Sequence, residues 1–213
     1  MMGGWQSVFT VEELEEYEAL TCFKSREIIR CYQKWCGIIP NDFPKDFITR
    51  LDKKIFIERF VEIACNPFAD RICHVFSSSE DTEDGSINFE DFLNMMSAFS
   101  EKIDPEAKLG YAFKIYDFNQ DGVIDEEDII QMIHTVCDVD ILDEEEVQLL
   151  IVNILKEADL DGDGKITYNE FFNAMRKSPD FYNIPPVSET EIIAYIEASK
   201  TDEFILNYCS ARH

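Results

Sequence analysis

Basic residues are scarce in this chain. Nineteen Lys and Arg stand against 44 Asp and Glu, for a formal net charge of −25. So acidic a surface repels the phosphates of nucleic acid and favours cations and basic polypeptides. Histidine is scarcer still. His74, His134 and His213 are the three present, and they are scattered. None forms part of a recognisable triad or metal motif, and no glycine-rich phosphate loop occurs, so the chain is expected not to be an enzyme. No apolar run approaches the roughly 20 residues that span a bilayer. Residues 1–10 lack the basic start and apolar stretch of a secretory signal. The seven cysteines, at positions 22, 31, 36, 65, 73, 137 and 209, are odd in number and include no Cys-x-x-Cys pair. They are expected as free thiols in a reducing, cytoplasmic compartment, acting as small buried hydrophobes.

What is plentiful is apolar. Hydrophobic residues make up 46% of the chain, and Phe occurs 17 times while Trp occurs twice. That is enough for a core and excludes wholesale disorder. The charge is unevenly spread: residues 21–60 hold nine Lys and Arg against five Asp and Glu. A solvated mixed face is the plain reading of that stretch, and a surface for an acidic partner or anionic lipid is the sharper one.

Helical punctuation recurs. Thr10 with Glu13, and Asp143 with Glu146, are capping boxes. Asp104 and Pro105 read as an N-cap followed by proline in the first turn. Ile28, Ile29, Tyr32, Trp35 and Cys36 share one helical face. Residues 37–70, with prolines at 40, 44 and 67, are less regular. Ser188 with Glu191 caps a further expected helix carrying Ile192, Ile193 and Ile196. No sustained alternation predicts a large sheet, so the fold class is all-α.

The strongest motif is Asp159–Glu170. Calcium takes six to eight hard oxygen ligands, and a 12-residue loop offers them from positions 1, 3, 5, 7, 9 and 12. Here these are Asp159, Asp161, Asp163, the Lys165 carbonyl, Thr167 and Glu170, with Gly164 at the sharp turn. A second loop, Asp117–Asp128, supplies Asp117, Asn119, Asp121, the Val123 carbonyl, Asp125 and Asp128, with Gly122 at the turn. Its last ligand is Asp where the pattern has Glu. The shorter side chain favours contact through one oxygen, which suits octahedral Mg²⁺. Ca²⁺ and/or Mg²⁺ at two sites is therefore expected. A third stretch, Glu80–Asp91, keeps Gly85 and Ile87 but too few ligands, and residues 42–60 read as a further decayed unit. The architecture predicted is four EF-hand helix–loop–helix units in two lobes, at 1–100 and 101–182, with a C-terminal helical extension at 183–213.

Segments around the loops are more specific. They include Phe9–Leu14, Asn66–Phe68, Arg71–Cys73, Tyr111–Asn119, Glu157–Lys165 and Lys177–Phe181. Together they resemble the calcium- and integrin-binding protein family, also called calmyrins. The resemblance implies four EF-hands, the last two binding cations, in a non-enzymatic adaptor. It implies partners in the form of amphipathic helices from the cytoplasmic parts of membrane proteins: an integrin α-subunit tail, or a transmembrane channel-like mechanotransduction channel that the protein serves as auxiliary subunit. The expected location is the cytoplasmic face of the plasma membrane. An acyl anchor at Gly3 requires a start at Met2, which gives Met2–Ser7 the myristoylation pattern.

Apolar residues flanking the loops are expected to line a groove for the partner helix: Phe92, Met95, Met96, Phe99, Ile129, Met132, Ile133, Phe171, Phe172 and Met175. Residues 183–213 are expected either to cover that groove or to pack as an ordinary helix. Two other readings stay open, a cation buffer and a regulatory subunit of a soluble phosphatase or kinase.

Overall fold

The computed structural model of the chain describes residues 8–80, 84–136 and 143–177. The helix expected from Ser188, the extension at 183–213 and the acylation pattern at Met2–Ser7 lie outside the described residues. Among the described residues the chain forms ten helices and one short two-stranded ribbon.

Helix starts fall where side chains satisfy the free amides of a first turn. In α1 (Val11–Leu20), Thr10 Oγ1 accepts from the Glu13 amide at 3.1 Å and Glu13 Oε2 accepts from the Thr10 amide at 2.7 Å. Asp143 and Glu146 repeat this reciprocal pair at the start of α9 (Glu144–Ala158). The Asp104 carboxylate accepts from the Glu106 amide at 2.7 Å, and Pro105 opens α7 (Pro105–Tyr116). The face expected for residues 28–36 is that of α2 (Ser25–Ile38), with Ile28, Tyr32, Trp35 and Cys36 buried.

The irregular stretch 37–70 proves more ordered than its sequence. It holds α3 (Lys53–Arg59) and α4 (Val61–Ala64), with the break falling at Phe60. Leu51 and Ile87 exchange backbone hydrogen bonds of 2.8 and 2.9 Å. This antiparallel bridge joins a first, ligand-poor hand to the second, whose helices are α5 (Ala69–Phe76) and α6 (Phe89–Ala98). Two acids of the first hand serve the local backbone: Asp46 accepts from the Ile48 and Thr49 amides, and Asp52 caps α3.

The third and fourth hands pair in the same way. β1 (Val123–Ile124) runs antiparallel to β2 (Ile166–Thr167), with Ile124 opposite Ile166. α8 (Glu126–Val136) and α10 (Tyr168–Lys177) follow their loops. None of the described helices is long and apolar enough to cross a membrane.

Two hydrophobic clusters result. The larger spans Phe9 to Phe99 and is rich in aromatic rings. Phe92 lies at its centre, with ring centroids 5.5 Å from Trp35, 6.2 Å from Phe56 and 5.4 Å from Phe60. The smaller is mostly aliphatic and gathers Leu109, Phe113, Ile124, Ile129, Ile133, Leu150, Ile151, Ile166 and Phe171. Phe76, at the end of α5, stacks on Tyr111 of α7 at 5.0 Å and so ties the first half to the second.

Truncating Phe92 empties the centre of the larger cluster. Phe92→Ala is expected to lower the unfolding free energy by about 3–5 kcal/mol. Ile48→Ala, at a residue 84% exposed, is expected to change it by less than about 0.5 kcal/mol. Urea titrations of both variants check this.

Candidate metal centre

The two complete loops share one construction. The helix before each loop ends with an aspartate as its C-cap, Asp117 after α7 and Asp159 after α9. Each folds the loop back over itself. Asp117 Oδ1 accepts from the Asp121 amide and Oδ2 from the Gly122 amide, at 3.2 and 3.0 Å. Asp159 accepts from the Gly162 and Gly164 amides at 2.7 and 2.9 Å. The sharp turns at Gly122 and Gly164 have φ of +88° and +84°, which a Cβ disfavours. The third and fifth positions brace the same turn: Asn119 accepts from Asp121, Asp121 from Val123, Asp161 from Asp163, and Asp163 from Lys165.

The last acid of each loop closes the ring. Glu170 Oε1 accepts from the Leu160 amide at 2.9 Å, and Oε2 accepts from the Thr167 amide at 2.9 Å and its hydroxyl at 2.7 Å. Asp128 Oδ1 accepts from the amides of Phe118 and Asn119 at 2.8 and 3.3 Å, and Oδ2 from the Asp125 amide at 3.2 Å. Asp125 also accepts from the Glu127 amide at the start of α8. In the fourth loop, Asp159, Asp161 and Glu170 each bring a carboxylate oxygen within 4.8 Å of the other two. A cluster of hard, anionic oxygens on a rigid loop is a donor set for Ca²⁺ or Mg²⁺. Asp163, Thr167 and the Lys165 carbonyl lie on the same loop. In the third loop the same positions are filled by Asp117, Asn119, Asp121, Asp125, Asp128 and the Val123 carbonyl.

The two closing acids differ electrostatically. The Thr167 and Leu160 amides and the Thr167 hydroxyl hold Glu170 well below its ordinary value, at about 2. Asp128 is fully buried, and that burial pushes its carboxyl up in spite of three backbone donors.

The expected groove residues fall into two groups. Phe92, Met95 and Phe99 are buried in the larger cluster, and Ile129, Ile133 and Phe171 in the smaller. These six are core residues in this structure and do not form an open surface. The cause is that helices of paired hands turn their i, i+3 and i+4 apolar positions toward each other. Met96, Met132, Phe172 and Met175 are partly buried at the cluster margins.

Two further features escape a reading by motif. α5 ends at Phe76 with Ser77 as its C-cap, the place that Asp117 and Asp159 take in their hands. The second loop therefore starts at Ser77, not Glu80, and is three residues longer than the 12-residue pattern. The other feature is Arg71 on α5. Its buried guanidinium donates to the carbonyls of Lys114 at 2.8 Å, Ile115 at 3.2 Å, and Asp117. It thus caps the C-terminus of α7 at the point where the third loop begins. Arginine at position 71 carries no loop signature, so only its partners in space reveal this role.

The depressed Glu170 has a pH signature. Its contribution to stability is present above the ordinary value of 4.5 and is lost as pH falls through that value toward about 2. In metal-stripped protein, Glu170→Gln is expected to remove that part of the acid slope. Urea midpoints of wild type and variant between pH 5 and pH 2 measure it.

The comparisons with known proteins agree with this geometry. The family model of the EF-hand domain pair matches residues 106–176. The chain is 39% identical over 184 residues to calcium and integrin-binding family member 2 of Homo sapiens, covering 84% of this chain and 96% of that protein. It is 36% identical over 185 residues to calcium and integrin-binding family member 2 of Drosophila melanogaster, with the same coverage. It is 39% identical over 183 residues to calcium and integrin-binding family member 3 of Homo sapiens, again over 84% and 96%. With over a third of residues shared across nearly the whole length of these proteins, the chain belongs to the calcium and integrin-binding family.

Proposed function

We propose that this chain is a Ca²⁺/Mg²⁺-binding adaptor. In this reading it holds an amphipathic helix from the cytoplasmic part of a membrane protein and serves it as an auxiliary or regulatory subunit. The observation that carries the cation reading is the convergence of the Asp159, Asp161 and Glu170 carboxylates within 4.8 Å. The third loop repeats the same fold with Asp128 in place of the glutamate. Asp128 is one methylene shorter and fully buried. One-oxygen contact at that position suits the octahedral demand of Mg²⁺, so the third hand is the more Mg²⁺-tolerant of the two.

The partner reading rests on the family and on surface chemistry. The relatives are named for calcium and integrins, and we extend both to this chain: an integrin tail, or a transmembrane channel-like protein with a comparable helix, at the cytoplasmic face of the plasma membrane. Leu149 and Val152 on α9 are 45% and 57% exposed. Met96, Met132, Phe172 and Met175 at the cluster margins are adaptable apolar contacts. The acidic surface selects a helix flanked by Lys or Arg.

Isothermal titration is expected to count two divalent cations per chain. Asp128→Glu is expected to raise the Ca²⁺-over-Mg²⁺ preference of one of them by about tenfold, and an unchanged preference refutes the Mg²⁺ assignment. Affinity capture from detergent-solubilised membranes, with Ca²⁺ and Mg²⁺ or with chelator, tests the partner. Cation-dependent retention of an integral membrane protein is the expected result. Retention of none in either condition moves the reading to a buffer or a soluble-enzyme subunit.

A further inference from the structure

Three loops in this chain close with the same tie. The last acid accepts one hydrogen bond from the amide just past the helix cap: Asp91 from Ser78 at 3.1 Å, Asp128 from Phe118 at 2.8 Å, Glu170 from Leu160 at 2.9 Å. Its other oxygen accepts from the amide three residues before it: Asn88 at 3.2 Å, Asp125 at 3.2 Å, Thr167 at 2.9 Å. The second loop therefore keeps the frame of a cation loop, although its first acid is replaced by Ser77.

A carboxylate drawn into such a frame is stabilised by a positive charge. The Asp91 side chain is 2% exposed. Arg50 comes to it from the first hand, anchored by the neighbouring Leu51–Ile87 bridge. Arg50 Nη1 lies 3.1 Å from Asp91 Oδ2 and donates to the Ser86 carbonyl at 2.8 Å and to Ser86 Oγ at 3.3 Å. Its Nη2 donates to Ser78 Oγ at 2.6 Å. Counted back from Asp91 as position 12, Ser86 is position 7, which gives its carbonyl to the ion in a 12-residue loop. One guanidinium nitrogen thus takes the position-7 carbonyl and the position-12 carboxylate together.

We propose that Arg50 is the resident cation of the second hand. The first half of the protein then keeps one arrangement with or without divalent cations, and response to cations is confined to the third and fourth hands. A guanidinium serves where an ammonium serves less well, because its planar fork reaches several oxygens at fixed angles. This goes beyond the adaptor reading and stands apart from it, since it concerns a loop to which that reading assigns no metal.

The test follows backbone amides by NMR in the full chain during Ca²⁺ titration. In wild type the Ser78 and Asn88 amides are expected to stay in place. Phe118 and Leu160 report separately on the two-cation reading, and their failure to move sinks that reading without touching this one. In Arg50→Gln, hydrogen exchange at Ser78 and Asn88 is expected to quicken by about tenfold or more. The melting temperature should fall by about 5 °C, equally in Ca²⁺ and in chelator. Arg50→Lys, which keeps the charge without the fork, should fall between and serves if Arg50→Gln does not fold. Wild-type Ser78 and Asn88 amides that follow a Ca²⁺ isotherm of their own overturn the proposal. So does Arg50→Gln, or Arg50→Lys in its place, matching wild type in exchange and melting.

Discussion

The structure depends on a carboxylate that ties the two ends of a loop together. Asp91, Asp128 and Glu170 each sit in the first turn of the helix that leaves their loop and accept a hydrogen bond from the amide just past the cap of the helix that enters it. The tie sets the distance between two helices and aims their apolar faces at the same core. Its cost is electrostatic, because it draws an acid into or beside the protein interior. Backbone donors offset that cost well at Glu170 and incompletely at Asp128, where burial dominates. At Asp91 a guanidinium supplies the counter-charge.

The described cores of the two halves differ in make-up. The first rests on a cluster of interlocking aromatic rings around Phe92. The second has a smaller, mostly aliphatic cluster beneath two acid-rich loops. Among the described residues, then, the larger buried cluster lies in the first half and the two acid-rich loops lie in the second. Arg71 links the two, since its host helix α5 belongs to the second hand while its guanidinium caps the helix that starts the third. The Phe76–Tyr111 stack supports the same junction.

Much of this was legible in the linear chain. The third and fourth loops, the caps at Thr10, Asp104 and Asp143, and the apolar face of α2 are local features. Ligand spacing, capping and helical period all act over a few residues, so a sequence displays them directly. The first hand was harder to read. Without ligands it has no spacing to recognise, and its identity rests on the pairing of Leu51 with Ile87. The second loop misled by position, because three extra residues shift its start to Ser77, where the helix ends.

The sequence by itself determined the third and fourth hands, their acid-rich loops and the kinship of the chain. Tertiary structure alone decided which apolar residues are core. Phe92, Met95 and Phe99 have the same character as surface anchors and differ only in what lies opposite them. It also decided the roles of Arg50 and Arg71. The work of a long cationic side chain depends on the carbonyls and carboxylates within its reach, here some forty residues away along the chain. Residue type sets what such a group is able to bind, and only the fold brings the partner to it.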